Sequence, residues 1–119
     1  MKLTGLKPID QFVAQLQAVG IQGFTRELLA IPGRKFRIDV AFPADMLAVE
    51  CMGGVFQMGR HTRGTGYTKD CEKACLLAIE GWHLMPVTSD QIKAGLALKW
   101  VESALRVSRV RRAQARGLV

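Results

Sequence analysis

The chain of 119 residues has few of the features that mark secreted or membrane proteins. It contains three cysteines, an odd number without the spacing of a disulfide framework, so we expect reduced thiols. No apolar run approaches the roughly 18–20 residues of a membrane span, and the first residues lack the apolar core of a signal peptide. These absences predict a cytoplasmic protein that has no membrane partner.

A structural zinc site is also disfavoured. Cys71 and Cys75 lie one helical turn apart and could ligate a metal, but no nearby second pair completes a zinc site. Such cysteines are more often small core residues. With 49% hydrophobic and 23% charged residues, the composition predicts a single globular domain over residues 1–119.

Positive charge is abundant and unevenly placed. The formal net charge of +7 suits a polyanionic partner, most simply nucleic acid. Five positive charges fall in residues 106–119 without any acid among them, and the remainder of the chain carries only +2. We expect this basic helix or tail to leave the body of the protein and to bind nucleic acid, with a role in solubility as the alternative. Its cationic residues are Arg106, Arg109, Arg111, Arg112 and Arg116.

Residues 35–42 and 46–53 alternate apolar and polar positions, which predicts two antiparallel strands joined by a turn at 43–45. Matching the apolar faces sets Asp39 opposite Glu50 on the other face, with Cβ atoms roughly 4.5–5.5 Å apart. Two carboxylates that close favour a divalent cation with oxygen ligands, although acidic residues on a solvated face are also ordinary. The predicted apolar pairs are Phe42 with Leu47, Val40 with Val49, and Ile38 with Cys51.

The other segments predict a mixed α/β fold. Its order is a helix at 9–19, a three-strand antiparallel meander that begins at 24–31, a helix capped by Thr68, a strand at 82–88 parallel to 46–53, and a C-terminal helix. A helix is the alternative for 24–31, because its composition suits one. The helix after Thr68 should bury Cys71, Cys75, Leu76 and Ile79, and the last helix, capped by Ser89 or Asp90, should pack through Ile92, Leu96, Val101 and Leu105.

A loop rich in glycine and cations occupies residues 53–67. Glycine lets a backbone approach a ligand closely, and Arg60, His61 and Arg63 are suited to phosphates. We therefore expect this loop to bind a ligand, and a flexible surface connection is the alternative.

An ordered set of short motifs points to a family. The motifs are Phe-Arg-Ile-Asp-Val-Ala-Phe-Pro at 36–43, Leu-Ala-Val-Glu at 47–50, Gly-Gly at 53–54, Gly-Arg-His-Thr-Arg-Gly at 59–64, Lys-Asp-Cys-Glu-Lys at 69–73, Gly-Trp at 81–82 and Thr-Ser-Asp-Gln-Ile at 88–92. Together they resemble small endonucleases of the PD-(D/E)XK superfamily, in particular the compact phage-borne and very-short-patch-repair-like branch. The resemblance covers residues 23–105 and implies a restriction-endonuclease-like core.

The resemblance also implies a site. Asp39 and Glu50 would hold Mg²⁺, for which Mn²⁺ would substitute, and Glu27 would be an auxiliary metal ligand. His61, Asp70 and Lys73 would flank the site, with His61 and Lys73 taking part in catalysis. DNA would be the partner, gripped by Arg60, Arg63, Lys69 and the C-terminal arginines, in a bacterial cytoplasm or a phage-infected host.

One position departs from the family. Two residues after its glutamate the superfamily usually carries lysine, and this branch often carries an acid, but here the residue is Met52. A thioether can neither orient water by charge nor ligate hard Mg²⁺. Lys73 or Lys69 could reach in from the following helix, or Arg37 could act from its predicted position opposite Met52. Alternatively, the protein has lost its chemistry and retains only binding.

The expected function is therefore that of a Mg²⁺-dependent endodeoxyribonuclease. Nothing in the chain resembles a major-groove recognition helix, so a junction, flap, nick or mismatch is the expected target, and cutting a junction would require a homodimer. The alternatives are a catalytically impaired nucleic-acid-binding protein on the same fold and a phage protein-interaction factor.

Overall fold

A computed structural model describes residues 5–52 and 66–117. Within them the chain forms four α-helices and four strands, which confirms the predicted mixed α/β class. The elements in chain order are α1 (Pro8–Ala18), β1 (Thr25–Leu29), β2 (Arg37–Phe42), a 3₁₀ turn (Pro43–Asp45), β3 (Leu47–Cys51), α2 (Tyr67–Ile79), β4 (His83–Val87), α3 (Ser89–Lys93) and α4 (Leu96–Ala115).

The four strands form one mixed sheet in the order β1-β2-β3-β4. The first three strands pair antiparallel as a meander, and β4 lies parallel to β3, as the sequence predicts. Val40 pairs with Val49, and Phe42 pairs with Leu47, which confirms the predicted register for that half of the hairpin. The helical alternative for residues 24–31 is wrong, since Thr25–Leu29 is a strand.

Helices cover both faces of the sheet. One face packs against α1, α3 and α4 through a core that includes Phe12, Phe42 and Val101. The other face packs against α2, where Leu77 is fully buried beside Ala41 and Ala48. The two alanines leave room for the helix to lie close to the strands.

The strict alternation predicted for β2 is wrong at Ile38. This residue packs with Ala41 and Ala48 in the second core, whereas Val40 belongs to the first. Glu27, at the position of β1 across from Asp39, has a φ of +55°, outside the extended region of a regular strand. The change of face at Ile38 therefore coincides with a local distortion of the β1–β2 pair.

The predicted buried stripe of α2 is wrong at three of its four positions, since Leu76 alone of the four is partly buried and packs against the second core. Cys71 and Cys75 are exposed, and Ile79 is 75% exposed. The face turned toward the sheet instead carries Lys73, which is partly buried, and Leu77 four residues later. Thr68 does not cap this helix either, because α2 begins at Tyr67.

The C-terminal segment forms two helices where one was predicted. Thr88, and not Ser89 or Asp90, caps α3, and its hydroxyl accepts a hydrogen bond from the Gln91 N–H. Gly95 then adopts a left-handed conformation with φ of +80°, which breaks the helix and changes its direction. The break leaves Leu96 41% exposed, so its predicted burial is wrong.

The end of α4 is held by the body of the protein. The Ser108 hydroxyl donates to Asp45 Oδ1 at 2.8 Å, and Arg112 Nη2 lies 3.1 Å from the same oxygen. The Asp45 side chain is only 5% exposed, so its carboxylate is shielded from water, whereas the Arg112 side chain is 39% exposed. The expectation that the arginine-rich end leaves the body is therefore wrong as far as Arg112.

In the described part of the chain, no helix is long and apolar enough to cross a membrane.

We predict that Leu77→Ala lowers the free energy of unfolding by about 2–5 kcal/mol, because it opens a cavity beneath α2. Urea unfolding followed by circular dichroism measures this loss. The matched control is Ile79→Ala on the exposed side of the same helix, which should change stability by no more than about 0.5 kcal/mol. A larger loss for Ile79→Ala than for Leu77→Ala would reverse this assignment of the helix face.

Candidate active site

Asp39 of β2 and Glu50 of β3 meet where the hairpin opens. The Asp39 N–H donates to Glu50 Oε2 at 3.2 Å, and the Cys51 N–H donates to Asp39 Oδ2 at 2.9 Å. Each carboxylate therefore accepts a hydrogen bond from the backbone of the opposite strand. The predicted juxtaposition of the two acidic residues is present in the structure.

The end of the β2–β3 ladder explains why these side chains bond to the backbone of the opposite strand. The paired residues of β2 and β3 extend from Phe42–Leu47 to Val40–Val49, and the next position is Asp39 opposite Glu50. There the carboxylates take the N–H groups that a regular ladder would give to carbonyl oxygens. The ladder bonds are replaced, so the strand N–H groups stay satisfied while both acids are fixed in place.

Lys73 of α2, the helix that packs against this face of the sheet, completes the cluster. Lys73 Nζ contacts Glu50 Oε1 and also donates a hydrogen bond to the Arg37 carbonyl oxygen. Lys73 lies one turn before Leu77 on α2, and packing of Leu77 against the sheet therefore brings the ammonium over the carboxylates. The Arg37 carbonyl was missed by sequence reasoning, because a backbone acceptor leaves no signature in residue type.

Glu50 is 6% exposed and is the buried charged residue of the described chain. Burial raises the pKa of Glu50 from 4.5 to about 7, since desolvation penalises the charged carboxylate. The negative charge of Asp39 adds to this rise, whereas Lys73 opposes it through its hydrogen bond and its charge. The carboxyl group therefore titrates close to neutral pH.

The donor set suits a hard divalent cation. Both side chains supply carboxylate oxygens, which Mg²⁺ and Mn²⁺ prefer. Glu50 Oε1 is buried, and the contacting Lys73 ammonium supplies its compensating positive charge. A metal ion would supply the same compensation.

Glu27 does not join the pair as a third ligand. It is exposed, and its left-handed φ takes it out of the strand alternation that would direct it toward Asp39. In residues 5–52 and 66–117, no group of three histidine, cysteine or acidic side chains is arranged to hold a metal. The role of Glu27 as a metal ligand therefore stays a prediction.

The remaining predicted residues occupy other places. Lys69 and Asp70 are exposed on α2, and Lys69 lines a shallow cavity with Arg34 and Glu72. Arg37 donates to the Glu27 carbonyl oxygen at 3.4 Å. Arg60, His61 and Arg63 fall outside the described residues, so their placement near the pair stays a prediction.

Of the two lysines considered from sequence, Lys73 is the one that the structure brings to Glu50. Met52 continues from β3, and its N–H donates to the Val87 carbonyl oxygen at 2.7 Å. That bond joins the end of β3 to β4. Comparison of the chain with protein-family models, with curated proteins and with solved structures gave no match.

We predict that burial of Glu50 makes the protein less stable as the pH rises. The folded state binds this proton more tightly than the unfolded state, so its contribution to stability is full below pH 4.5 and is lost as the pH rises to about 7. Because one pKa unit corresponds to about 1.4 kcal/mol, the loss reaches about 3 kcal/mol at most. Urea unfolding in EDTA between pH 4 and 8 measures it.

Glu50→Gln should remove this dependence. The stability of the variant relative to the wild type should therefore rise between pH 4.5 and about 7 and then level off. Glu72→Gln is the matched control, since its carboxylate is 45% exposed on the same side of the sheet and is paired with Arg34. A relative stability of Glu50→Gln that falls with pH would mean that Lys73 outweighs the cost of burial.

Proposed function

We propose that the protein is a metal-dependent DNA endonuclease of the restriction-endonuclease-like, PD-(D/E)XK type. The observation that carries the proposal is the cluster of Asp39, Glu50 and Lys73 on two adjacent strands and the helix that covers them. The helix, meander, helix and strand order that surrounds the cluster is consistent with the core of that superfamily.

Asp39 and Glu50 would hold Mg²⁺ or Mn²⁺ through their carboxylate oxygens. The ion would supply hydroxide at neutral pH and would neutralise charge that develops on the phosphoryl group. The chain contributes the fixed positions of its acids, since both are tied to the backbone of the opposite strand. Such preorganisation means that the ligands need little rearrangement when the ion binds.

Lys73 takes the part of the lysine that is missing at position 52. Its side chain is 21% exposed and its ammonium already lies against Glu50, so the ammonium can move from the carboxylate to a phosphate oxygen or to the attacking water. A lysine on α2 reaches the acids from above the sheet, whereas residue 52 continues from β3. In this proposal the positive charge comes from α2 and not from position 52, but it still lies beside the acids.

The charge of the surface supports DNA as the substrate. The formal net charge is +7, and Arg106, Arg109, Arg111 and Arg116 of the C-terminal segment are exposed. Arg112 is engaged by Asp45, so it is removed from the expected set of phosphate-binding residues. Backbone contacts of this kind position DNA without reading its sequence, which favours a junction, flap, nick or mismatch as the target.

We predict that purified protein cleaves at least one of labelled linear, nicked, flapped and four-way-junction DNAs with Mg²⁺ or Mn²⁺ and not with EDTA. Asp39→Asn should abolish cleavage and retain DNA binding, because the amide oxygen can still accept the Cys51 N–H bond. Gel electrophoresis of the products and gel retardation measure the two properties separately.

Lys73→Met should lower the single-turnover cleavage rate about 100-fold with little effect on the affinity for DNA. The matched control is Lys93→Met, which removes an exposed lysine from α3 and should leave the rate unchanged. Equal rates for Lys73→Met and the wild type would remove Lys73 from the catalytic site.

A DNA-binding protein without chemistry is the second candidate. It is favoured by Met52 at the usual lysine position and by the Lys73 contact, which already compensates Glu50 without a metal. This candidate predicts salt-sensitive binding with no cleavage in either metal. Cleavage that depends on metal and disappears in Asp39→Asn would exclude it.

A further inference from the structure

A groove lies between the second half of α4 and the start of β4, apart from the acidic pair. Its volume is about 720 Å³, which is within the range of pockets that bind ligands. Met46, Leu47, His83 and Met85 form the sheet side of the groove, and Ala104, Val107 and Arg111 are among the α4 residues that line it.

The walls of the groove are largely apolar. Met46 and Met85 are partly buried, and Val107 is 47% exposed at its edge. Val110, one turn further along α4, is 50% exposed. Methionine side chains adapt readily to different apolar partners, so these walls suit a protein ligand. Contiguous exposed apolar surface commonly marks an interaction site.

The rim of the groove is positively charged. Arg111 is exposed there, and the exposed Arg106 lines an adjoining cavity on α4 that shares Val107 and Arg111 with the groove. Asp45 also lines the groove, but its side chain is 5% exposed and is already bound by Ser108 and Arg112. Asp45 therefore does not neutralise the exposed arginines, and an acidic ligand is the complementary one.

We propose that this groove binds an acidic amphipathic helix of a partner protein. Apolar residues at helical spacing would cover Met46, Met85 and Val107, and flanking carboxylates would meet Arg111 at the groove and Arg106 in the adjoining cavity. A second copy of α4 is a poor occupant, because Glu102 is its single acid against four arginines and lysines other than Arg112. The proposal does not depend on the proposed nuclease activity.

The free edge of β4 favours a helix over an added strand. The His83 N–H and the Val87 carbonyl bond toward the β3 side, so positions 84 and 86 face the free edge. Pro86 has no N–H, which leaves Leu84 as the N–H donor of that edge. On α4, the small side chains of Ala104 and Ser108 line the groove and allow close approach of a helix.

DNA is the less suitable polyanion for this surface. A phosphate backbone could meet Arg106 and Arg111, but it offers no apolar side chain to cover Met46, Met85 and Val107. An acidic amphipathic helix satisfies both the charge and the apolar walls. The test must therefore compare the two.

The experiment titrates the full chain into a fluorescein-labelled synthetic peptide with leucine at i, i+3, i+4 and i+7 and glutamate at the flanking positions. A second peptide carries lysine in place of each glutamate. Fluorescence anisotropy should show binding of the acidic peptide and affinity at least about tenfold weaker for the basic one. Amide hydrogen exchange of the wild-type complex should show protection at residues 44–47, 81–85 and 103–115.

Val107→Glu should weaken binding of the acidic peptide at least about tenfold, because it places a carboxylate on the apolar wall. The matched control is Ile79→Glu, the same kind of change at the exposed face of α2, which should leave the affinity unchanged. Arg111→Ala should weaken binding and reduce its dependence on salt.

Four outcomes would overturn the proposal. The first is absence of binding, and the second is exchange protection elsewhere in the chain. The third is an unchanged affinity in Val107→Glu together with displacement of the peptide by duplex DNA, which would make the groove a polyanion surface. The fourth is a homodimer in sedimentation that Val107→Glu dissociates, which would assign the groove to a second copy.

Discussion

The structure depends on keeping the Glu50 carboxylate inside the sheet. A charged group that is 6% exposed must find hydrogen bonds and a counter-charge, because desolvation costs several kcal/mol otherwise. Asp39 donates its N–H from one side, and Lys73 approaches from the other. The β2–β3 ladder ends at this point, and α2 turns the face that carries Lys73 toward the sheet.

The face that α2 turns toward the sheet shows why the site is less predictable from sequence than the pairing of the strands. The register of β2 and β3 could be predicted, because a slip of one residue would expose Val40 and Val49 together. Apolar periodicity assigned the wrong face to α2, because it counts Cys71, Cys75 and Ile79 and ignores a lysine. Two contacts between α2 and the sheet decide the face: the Lys73–Glu50 ion pair, and the packing of Leu77 against the small side chains of the sheet. Neither contact has a local sequence signal.

Local backbone conformation accounts for the other differences. Glu27 was expected beside Asp39 because a regular strand would place it there, but its φ of +55° breaks the alternation. The single C-terminal helix predicted from sequence would run through Gly95, but the φ of +80° at Gly95 ends one helix before the next begins. Such dihedral angles are set by the packing on either side, and residue type alone permits more than one of them.

The acidic pair and the groove lie at opposite ends of β3. Glu50 is near its C-terminal end, and Asp45 precedes its N-terminal end, so about five residues at roughly 3.3 Å each separate them by about 16 Å. Each end carries a shielded carboxylate with a cation from a covering helix, Lys73 of α2 or Arg112 of α4. At one end the strands open, so the acids stay available to a cation. At the other end Ser108 and Arg112 occupy Asp45, so that end offers its apolar walls and exposed arginines instead. Different helices therefore cover the two ends of β3, α2 at Glu50 and α4 at Asp45.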